Sequence, residues 1–142
     1  MHIADVIRGK GADVVTIGPS ATVGELIALI AGRNIGALPV VDDEGHLVGI
    51  VSERDVVRRL HEMGSALLAQ HVSEIMTTEV TTCSPGDSVV DLARVMTERR
   101  FRHLPVVVDG ELRGIVSIGD LVKARIDMLE VEREQLASYI AS

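Results

Sequence analysis

A serine and an aspartate three residues apart occur twice in this chain, each time behind a glycine and an apolar pair. The copies read Gly49-Ile50-Val51-Ser52-Glu53-Arg54-Asp55 and Gly114-Ile115-Val116-Ser117-Ile118-Gly119-Asp120. Where a strand turns into a helix, such a hydroxyl and carboxylate share one side of the first helical turn. Two kinds of chemistry fit. The pair caps the helix and opposes its dipole. With free amide donors beside it, the same pair suits a ribose diol at the carboxylate and a phosphate at the hydroxyl and the helix start. A single copy is accounted for equally well by capping; two copies at matching places favour binding.

The elements that must position these residues are themselves duplicated. Ala37-Leu38-Pro39-Val40-Val41 precedes the first phrase and His103-Leu104-Pro105-Val106-Val107 precedes the second, across a turn one residue shorter. Upstream, Thr16-Ile17-Gly18-Pro19 answers Thr82-Cys83-Ser84-Pro85, and Thr22-Val23 answers Ser88-Val89. In the first copy Ser20 or Thr22 caps a helix whose apolar face is Val23, Leu26, Ile27, Ile30 and Ala31. Gly32 and Asn34-Ile35-Gly36 end it. Leu38–Val41 reads as a short buried strand, with Pro39 near its start where a missing donor is tolerated. Asp42-Asp43-Glu44-Gly45 is a turn, Leu47–Ser52 a second strand, and Glu53–Met63 a helix. The second copy repeats the pattern: Ser88 caps Val89–Arg100, His103–Val108 and Glu111–Ser117 flank Asp109-Gly110, and a helix starts at Ile118. Each unit is thus strand, helix, strand, strand, helix, and a segment with Val72, Ile75 and Met76 joins the two.

One such unit of roughly 65 residues buries a marginal core alone. Its period is longer than that of the usual solenoids, which argues against an open stack. Two units closing about a pseudo-two-fold axis solve the problem and generate two equivalent clefts. Composition narrows the occupants. Of 142 residues, 46% are hydrophobic and only 1% aromatic, so aliphatic side chains fill the core and few stacking platforms exist for single-stranded nucleic acid. A net charge of −7 opposes approach to nucleic acid or an anionic membrane. One cysteine, Cys83, and the lack of a leader-like or membrane-length apolar run lead to the expectation of a cytoplasmic protein.

The doubled Leu-Pro-Val-Val and Gly-x-x-Ser-x-x-Asp signatures, from about Val14 to about Arg125, resemble a tandem pair of cystathionine beta-synthase (CBS) domains, the Bateman module. The resemblance implies a mixed α+β fold of two pseudo-two-fold-related β-α-β-β-α motifs packed as one module, with an extended C-terminal helix. The corresponding divisions are an N-terminal helix or lead-in at 1–14, motifs at 15–63 and 80–125, a linker at 64–79 and the helix extension at 126–142. It also implies a non-catalytic regulatory sensor of adenosyl ligands: AMP, ADP, ATP, S-adenosylmethionine, or NAD(H). Carried over residue by residue, Asp55 takes ribose hydroxyls and Ser52 helps with phosphate in cleft one. Thr82 and Cys83 surround the base there, with Arg102, His103 and Pro105 on the strand side. Cleft two joins Ser117 and Asp120 to Thr16, Ile17, Gly36, Ala37 and Pro39.

The copies diverge at Arg100-Phe101-Arg102-His103 against Asn34-Ile35-Gly36-Ala37. Arginine engages phosphate through paired charge-assisted hydrogen bonds, although a basic helix C-terminus is also favoured by the dipole. The Asp55/Arg102 cleft is therefore expected to bind a mononucleotide better, leaving the other weaker, empty or shared with a dinucleotide. Val122, Ile126, Leu129, Leu136 and Ile140 form a heptad-like stripe broken by Arg133, suited to a homodimer or to packing on the chain's own domain. The five histidines lack zinc-ligand spacing, Asp42-Asp43-Glu44 lacks the later ligands of a calcium loop, and no phosphate-loop glycine pattern occurs. No nucleophile, base and orienting group assemble. CBS pairs also occur inserted in inosine monophosphate dehydrogenase, whose catalytic barrel alone needs about 200 residues. The chain is therefore expected not to be an enzyme, to need no metal or catalytic cofactor, and to signal through itself or an effector protein. The alternative is a ligand-independent dimerisation scaffold.

Overall fold

The computed structural model describes residues 1–11 and 13–141. Its elements are α1 (Ile3–Lys10), α2 (Val23–Arg33), β1 (Ala37–Val41), β2 (Leu47–Ser52), α3 (Glu53–Met63), two 3-10 turns (Gly64–Ala69 and Val72–Glu74), α4 (Val89–Arg99), β3 (His103–Val108), β4 (Glu111–Ser117) and α5 (Ile118–Ala141). They divide into two compact units. One holds Val14–Thr81 with Asp109–Leu112; the other holds Met1–Asp13, Thr82–Val108 and Arg113–Ser142.

In the first-half unit, α2 begins where the sequence predicts. The Thr22 hydroxyl accepts from the Glu25 amide at 3.1 Å, and the Glu25 carboxylate accepts from the Thr22 amide at 3.2 Å. This reciprocal cap satisfies two amides that the helix itself leaves unpaired. Asn34 ends the helix in the left-handed conformation (φ 53°), which asparagine tolerates better than most residues. The strands β1 and β2 pair antiparallel, with Leu38 opposite Val51 and Pro39 opposite Ile50. Val23, Leu26, Leu38, Val40 and Val51 are fully buried between sheet and helix. Two residues of the joining segment, Leu67 and Val72, enter the same core. Thr77 then pairs with Ile50 through two backbone hydrogen bonds of 2.9 and 3.0 Å, adding an edge to β2.

The second-half unit repeats the plan. Ser88 caps α4, which stops at Arg99 because Arg100 turns left-handed (φ 60°), one residue short of the sequence expectation. The two-residue turn between β3 and β4, Asp109 and Gly110, groups with the other unit; both residues have positive φ, as the tight hairpin connections require. The N-terminal helix, α1, docks on the second-half unit. Ile3 is fully buried, and the Ile3 and Ala4 amides donate to the Asp87 and Pro85 carbonyls at 2.9 Å. With Val89, Met96, Leu104, Val106, Val116 and Leu121, Ile3 completes this unit's core.

The leading strand of each copy contracts to a single parallel bridge, Ile17 with Val40 and Cys83 with Val106. Turns cut both strands short: the Ala21 amide donates to the Gly18 carbonyl, and the Asp87 amide to the Ser84 carbonyl. The bridge hydrogen bonds explain why proline is tolerated in β1 and β3. Pro39 and Pro105 have no N–H, and their carbonyls accept from Ile17 and Cys83 at 3.2 and 2.9 Å.

Candidate functional site

Both Ser–Asp phrases sit where a strand becomes a helix, and both close the same way. Ser52 is the cap residue of α3; its amide donates to Asp55 Oδ2 at 2.8 Å, its hydroxyl donates to the same oxygen at 3.0 Å, and the Asp55 amide approaches Ser52 Oγ at 3.4 Å. In the second copy the Ser117 amide donates to Asp120 Oδ2 at 2.9 Å, and the Asp120 amide donates to Ser117 Oγ at 3.0 Å. The capping role is therefore real in both copies. It engages only one carboxylate oxygen each time: among the hydrogen bonds of the described residues, Oδ1 of Asp55 and of Asp120 has no partner. An ionised carboxylate offers about four acceptor sites in all, so capping and ligand binding are compatible on one side chain.

Backbone hydrogen bonds fix the neighbouring strand starts. The Glu53 amide donates to the Gly36 carbonyl at 3.0 Å, and the Ile118 amide donates to the Arg102 carbonyl at 2.9 Å. In the first-half unit the structure thus brings Ser52 and Asp55 beside Gly36 and Ala37, with Thr16, Ile17 and Pro39 linked through the Ile17–Pro39 hydrogen bond. In the second-half unit it brings Ser117 and Asp120 beside Arg102 and His103, with Thr82, Cys83 and Pro105 linked through the Cys83–Pro105 hydrogen bond. Within a unit, each Ser–Asp grip therefore adjoins the strand-start residues that the family carry-over pairs with the other grip. Ala37, Pro39, Cys83 and Pro105 are buried, whereas Thr82 and Arg102 are exposed. Arg99 is already engaged, stacked 4.8 Å from the Phe101 ring centre.

Cys83 is 4% exposed and its Sγ lies 3.6 Å from the Pro105 carbonyl oxygen. Burial, with the nearby Asp87 charge adding to it, pushes its thiol up to about 12. The thiolate required of a nucleophile is thus suppressed, and the side chain serves as a small apolar filler.

One neighbour of the second Ser–Asp pair has no signal in the sequence. At the end of α1, Lys10 Nζ donates to Asp120 Oδ2 at 2.7 Å and to the Ile115 carbonyl at 2.9 Å. Burial alone raises the Asp120 carboxyl, but hydrogen bonds from Lys10 and Ser117, with the Lys10 charge, outweigh it and hold the group below the usual carboxylate range. Asp55 forms no ion pair among the described residues. The Ile3, Val6, Ile7 periodicity signals α1 as a helix, but nothing local signals where its lysine lands.

Known proteins bear on this geometry. The family model for the CBS domain matches residues 3–62 and again 72–127. An uncharacterized 33.4 kDa protein in a ribosomal RNA operon of Thermofilum pendens is 49% identical over 118 residues; the match covers 82% of this chain but 38% of that protein. The CBS domain-containing protein YhcV of Bacillus subtilis is 37% identical over 108 residues, 76% of either chain. Inosine-5'-monophosphate dehydrogenase of Methanocaldococcus jannaschii matches at 34% over 114 residues, only 22% of that enzyme. Among solved structures, the CBS-domain containing protein ATU1752 from Agrobacterium tumefaciens superposes with a TM-score of 0.83 at 43% identity, covering 88% of this chain and 99% of that one. CBSX2 in complex with AMP superposes at 0.76 and 29% identity, covering 89% and 97%. The CBS domain pair of MJ0100 in complex with 5'-methylthioadenosine and S-adenosyl-L-methionine superposes at 0.74 and 26%, covering 90% and 98%. With two family matches spanning most of its length and CBS-pair structures superposing over nearly all of it, the chain belongs to the CBS-domain family and is a Bateman-type pair of CBS motifs.

Proposed function

We propose that this chain is a regulatory module that binds an adenosine-containing ligand and signals its occupancy to a partner or through its own assembly. The carrying observation is the duplicated grip: in each copy a serine orients an aspartate through one carboxylate oxygen and leaves the other for a ligand hydroxyl. The second amide of each following helix, of Arg54 and of Gly119, has no acceptor among the hydrogen bonds of the described residues. Such a donor at a helix start suits a phosphate oxygen. The AMP and S-adenosyl-L-methionine complexes of CBSX2 and MJ0100 support an adenosyl ligand.

On this reading the Ser52–Asp55 grip binds a mononucleotide such as AMP, ADP or ATP more tightly, and the Ser117–Asp120 grip binds more weakly or takes part of a dinucleotide such as NAD(H). The residues perform binding, not turnover, and a ligand with different affinity for two states shifts their populations. The location is the cytoplasm, where a chain with one buried thiol is at home.

Thermal shift with AMP, ADP, ATP, NAD, NADH and S-adenosylmethionine, on protein freed of copurified ligand, tests this reading. At a hundredfold excess over the dissociation constant, one site stabilises by about 2.7 kcal/mol, or roughly 9 °C at this size. No shift with any of the six contradicts it.

A homodimer is proposed on a separate observation. Val122, Ile126, Leu129, Leu136 and Ile140 of α5 are between 46% and 82% exposed, so the stripe does not pack on its own domain. Its spacing fits the same helix of a second copy. Sedimentation of wild type against Leu136→Glu/Ile140→Glu tests it; an unchanged dimer in the double variant, or a wild-type monomer, refutes it. A dimer that forms normally with no nucleotide response would favour the scaffold function instead.

A further inference from the structure

The two grips differ in one respect that their signatures do not encode. The carboxylate of Asp55 meets only its own serine, whereas Asp120 also holds the ammonium of Lys10. A carboxylate oxygen has two lone-pair sites. At Asp120 Oδ2 these are filled by the Ser117 amide at 2.9 Å and the Lys10 ammonium at 2.7 Å. At Asp55 Oδ2 the second donor is the Ser52 hydroxyl, which frees its site by rotating about one bond. A vicinal diol that uses both carboxylate oxygens therefore finds Asp55 open at little cost. At Asp120 it must first displace a charged donor anchored a second time on the Ile115 carbonyl.

We propose that Lys10 is the specificity-determining residue of the Ser117–Asp120 grip, an internal occupant that withholds the carboxylate from a ribose diol until the end of α1 lets go. The inference rests on the adenosyl-ligand reading above and adds to it which grip is gated, and by what. It also gives α1 a role in reporting occupancy. Its first turn is fixed to the second-half unit by Ile3 and the Asp87 and Pro85 carbonyls, while its last turn is held by Ile7 packing on the same core and, at its end, by Lys10. A diol seated on Asp120 releases the end of that turn, beyond Ile7. Lys10 and Asp120 side chains are 38% and 24% exposed, so the latch faces solvent and is exchangeable.

The test is two-site calorimetry with AMP and with adenosine on wild type, Lys10→Met, Lys10→Arg and Asp55→Asn, each freed of copurified ligand. Adenosine lacks a phosphate, so loss of ammonium attraction does not mask loss of competition. Lys10→Met is expected to tighten the Asp55-independent site about two- to fivefold, as removal of one partly exposed ion pair allows. Lys10→Arg should stay near wild type, and the Asp55-dependent site should not change. Hydrogen exchange should also show the Gly9 to Gly11 amides of wild type loosening as the second site fills. An Asp55-independent site that is unchanged or weaker in Lys10→Met, with the Asp55-dependent site still binding, overturns the Lys10 assignment alone. Absence of binding at either site in every variant overturns the adenosyl reading, and this inference with it.

Discussion

The signature glycine of each phrase faces different surroundings, and Gly49→Ala should expose the difference. In a strand interior, alanine is by itself better than glycine by roughly 0.5–1 kcal/mol, because glycine loses more freedom on folding. At Gly49 that gain meets an obstacle. A Cβ there would lie 2.7 Å from Met76 Sδ and 2.9 Å from the Thr77 carbonyl oxygen. The methionine can swing away, but the Thr77 carbonyl accepts from the Ile50 amide at 3.0 Å and cannot retreat without stretching that bridge. Overpacking of this kind costs about 1–3 kcal/mol, and with one backbone hydrogen bond strained the net loss should be about 2 kcal/mol. At this chain length that lowers Tm by roughly 6–8 °C. The equivalent Gly114→Ala places Cβ 3.3–3.5 Å from the Ile7 side chain only. Side-chain rotation relieves it, and the change should stay within about 1 kcal/mol of wild type. Urea unfolding and differential scanning calorimetry on both variants read the contrast. Equal losses, or a larger loss for Gly114→Ala, would refute the reasoning that Thr77 is the fixed wall.

Further expectations follow from the second-half unit. Ile3→Ala, at a fully buried position, should destabilise by about 2–5 kcal/mol, and hydrogen exchange should place the loss in α4 and α5 before α2 and α3; uniform loss would contradict the docking of α1. Cys83, raised to about 12 and 4% exposed, should resist thiol reagents at pH 8 in the folded protein and react on denaturation; rapid native labelling would contradict its burial. The Asp120 carboxyl lies below the usual range when folded, so its contribution is full above the unfolded value of about 3.9 and fades as pH falls through the lower folded value. Wild type minus Asp120→Asn stability, followed from pH 6 downward, should therefore be flat and then shrink; a difference that grows on acidification would reverse the sign.

Much of the architecture was legible because local rules and global packing agree. Thr22, Ser52 and Ser88 cap the helices their hydroxyls announce, and Leu47–Ser52, Glu53–Met63, His103–Val108 and Glu111–Ser117 fall where the patterns place them. The paired Ser–Asp spacing likewise predicts the grip geometry, since three residues on a first helical turn leave little choice. What escaped depends on contacts far apart in sequence. The docking of α1 on the second-half unit and the Lys10–Asp120 pair join residues more than a hundred positions apart, with no periodicity or spacing to reveal them. In the joining segment the burial of Leu67, unlike that of Val72, has no signal in the sequence: it lies among exposed residues in a 3-10 turn, which leaves neither a helical nor a strand period.

Isothermal titration of AMP into the ligand-free protein, with Asp55→Ala alongside, decides whether the two grips bind and bind unequally. Saturable binding at two unequal sites per chain is expected in wild type, with the tighter one lost in Asp55→Ala and the weaker one kept. Two equal sites, or a tighter site that survives Asp55→Ala, would contradict the inequality of the grips. No binding of AMP or of any other adenosyl ligand would contradict the function itself.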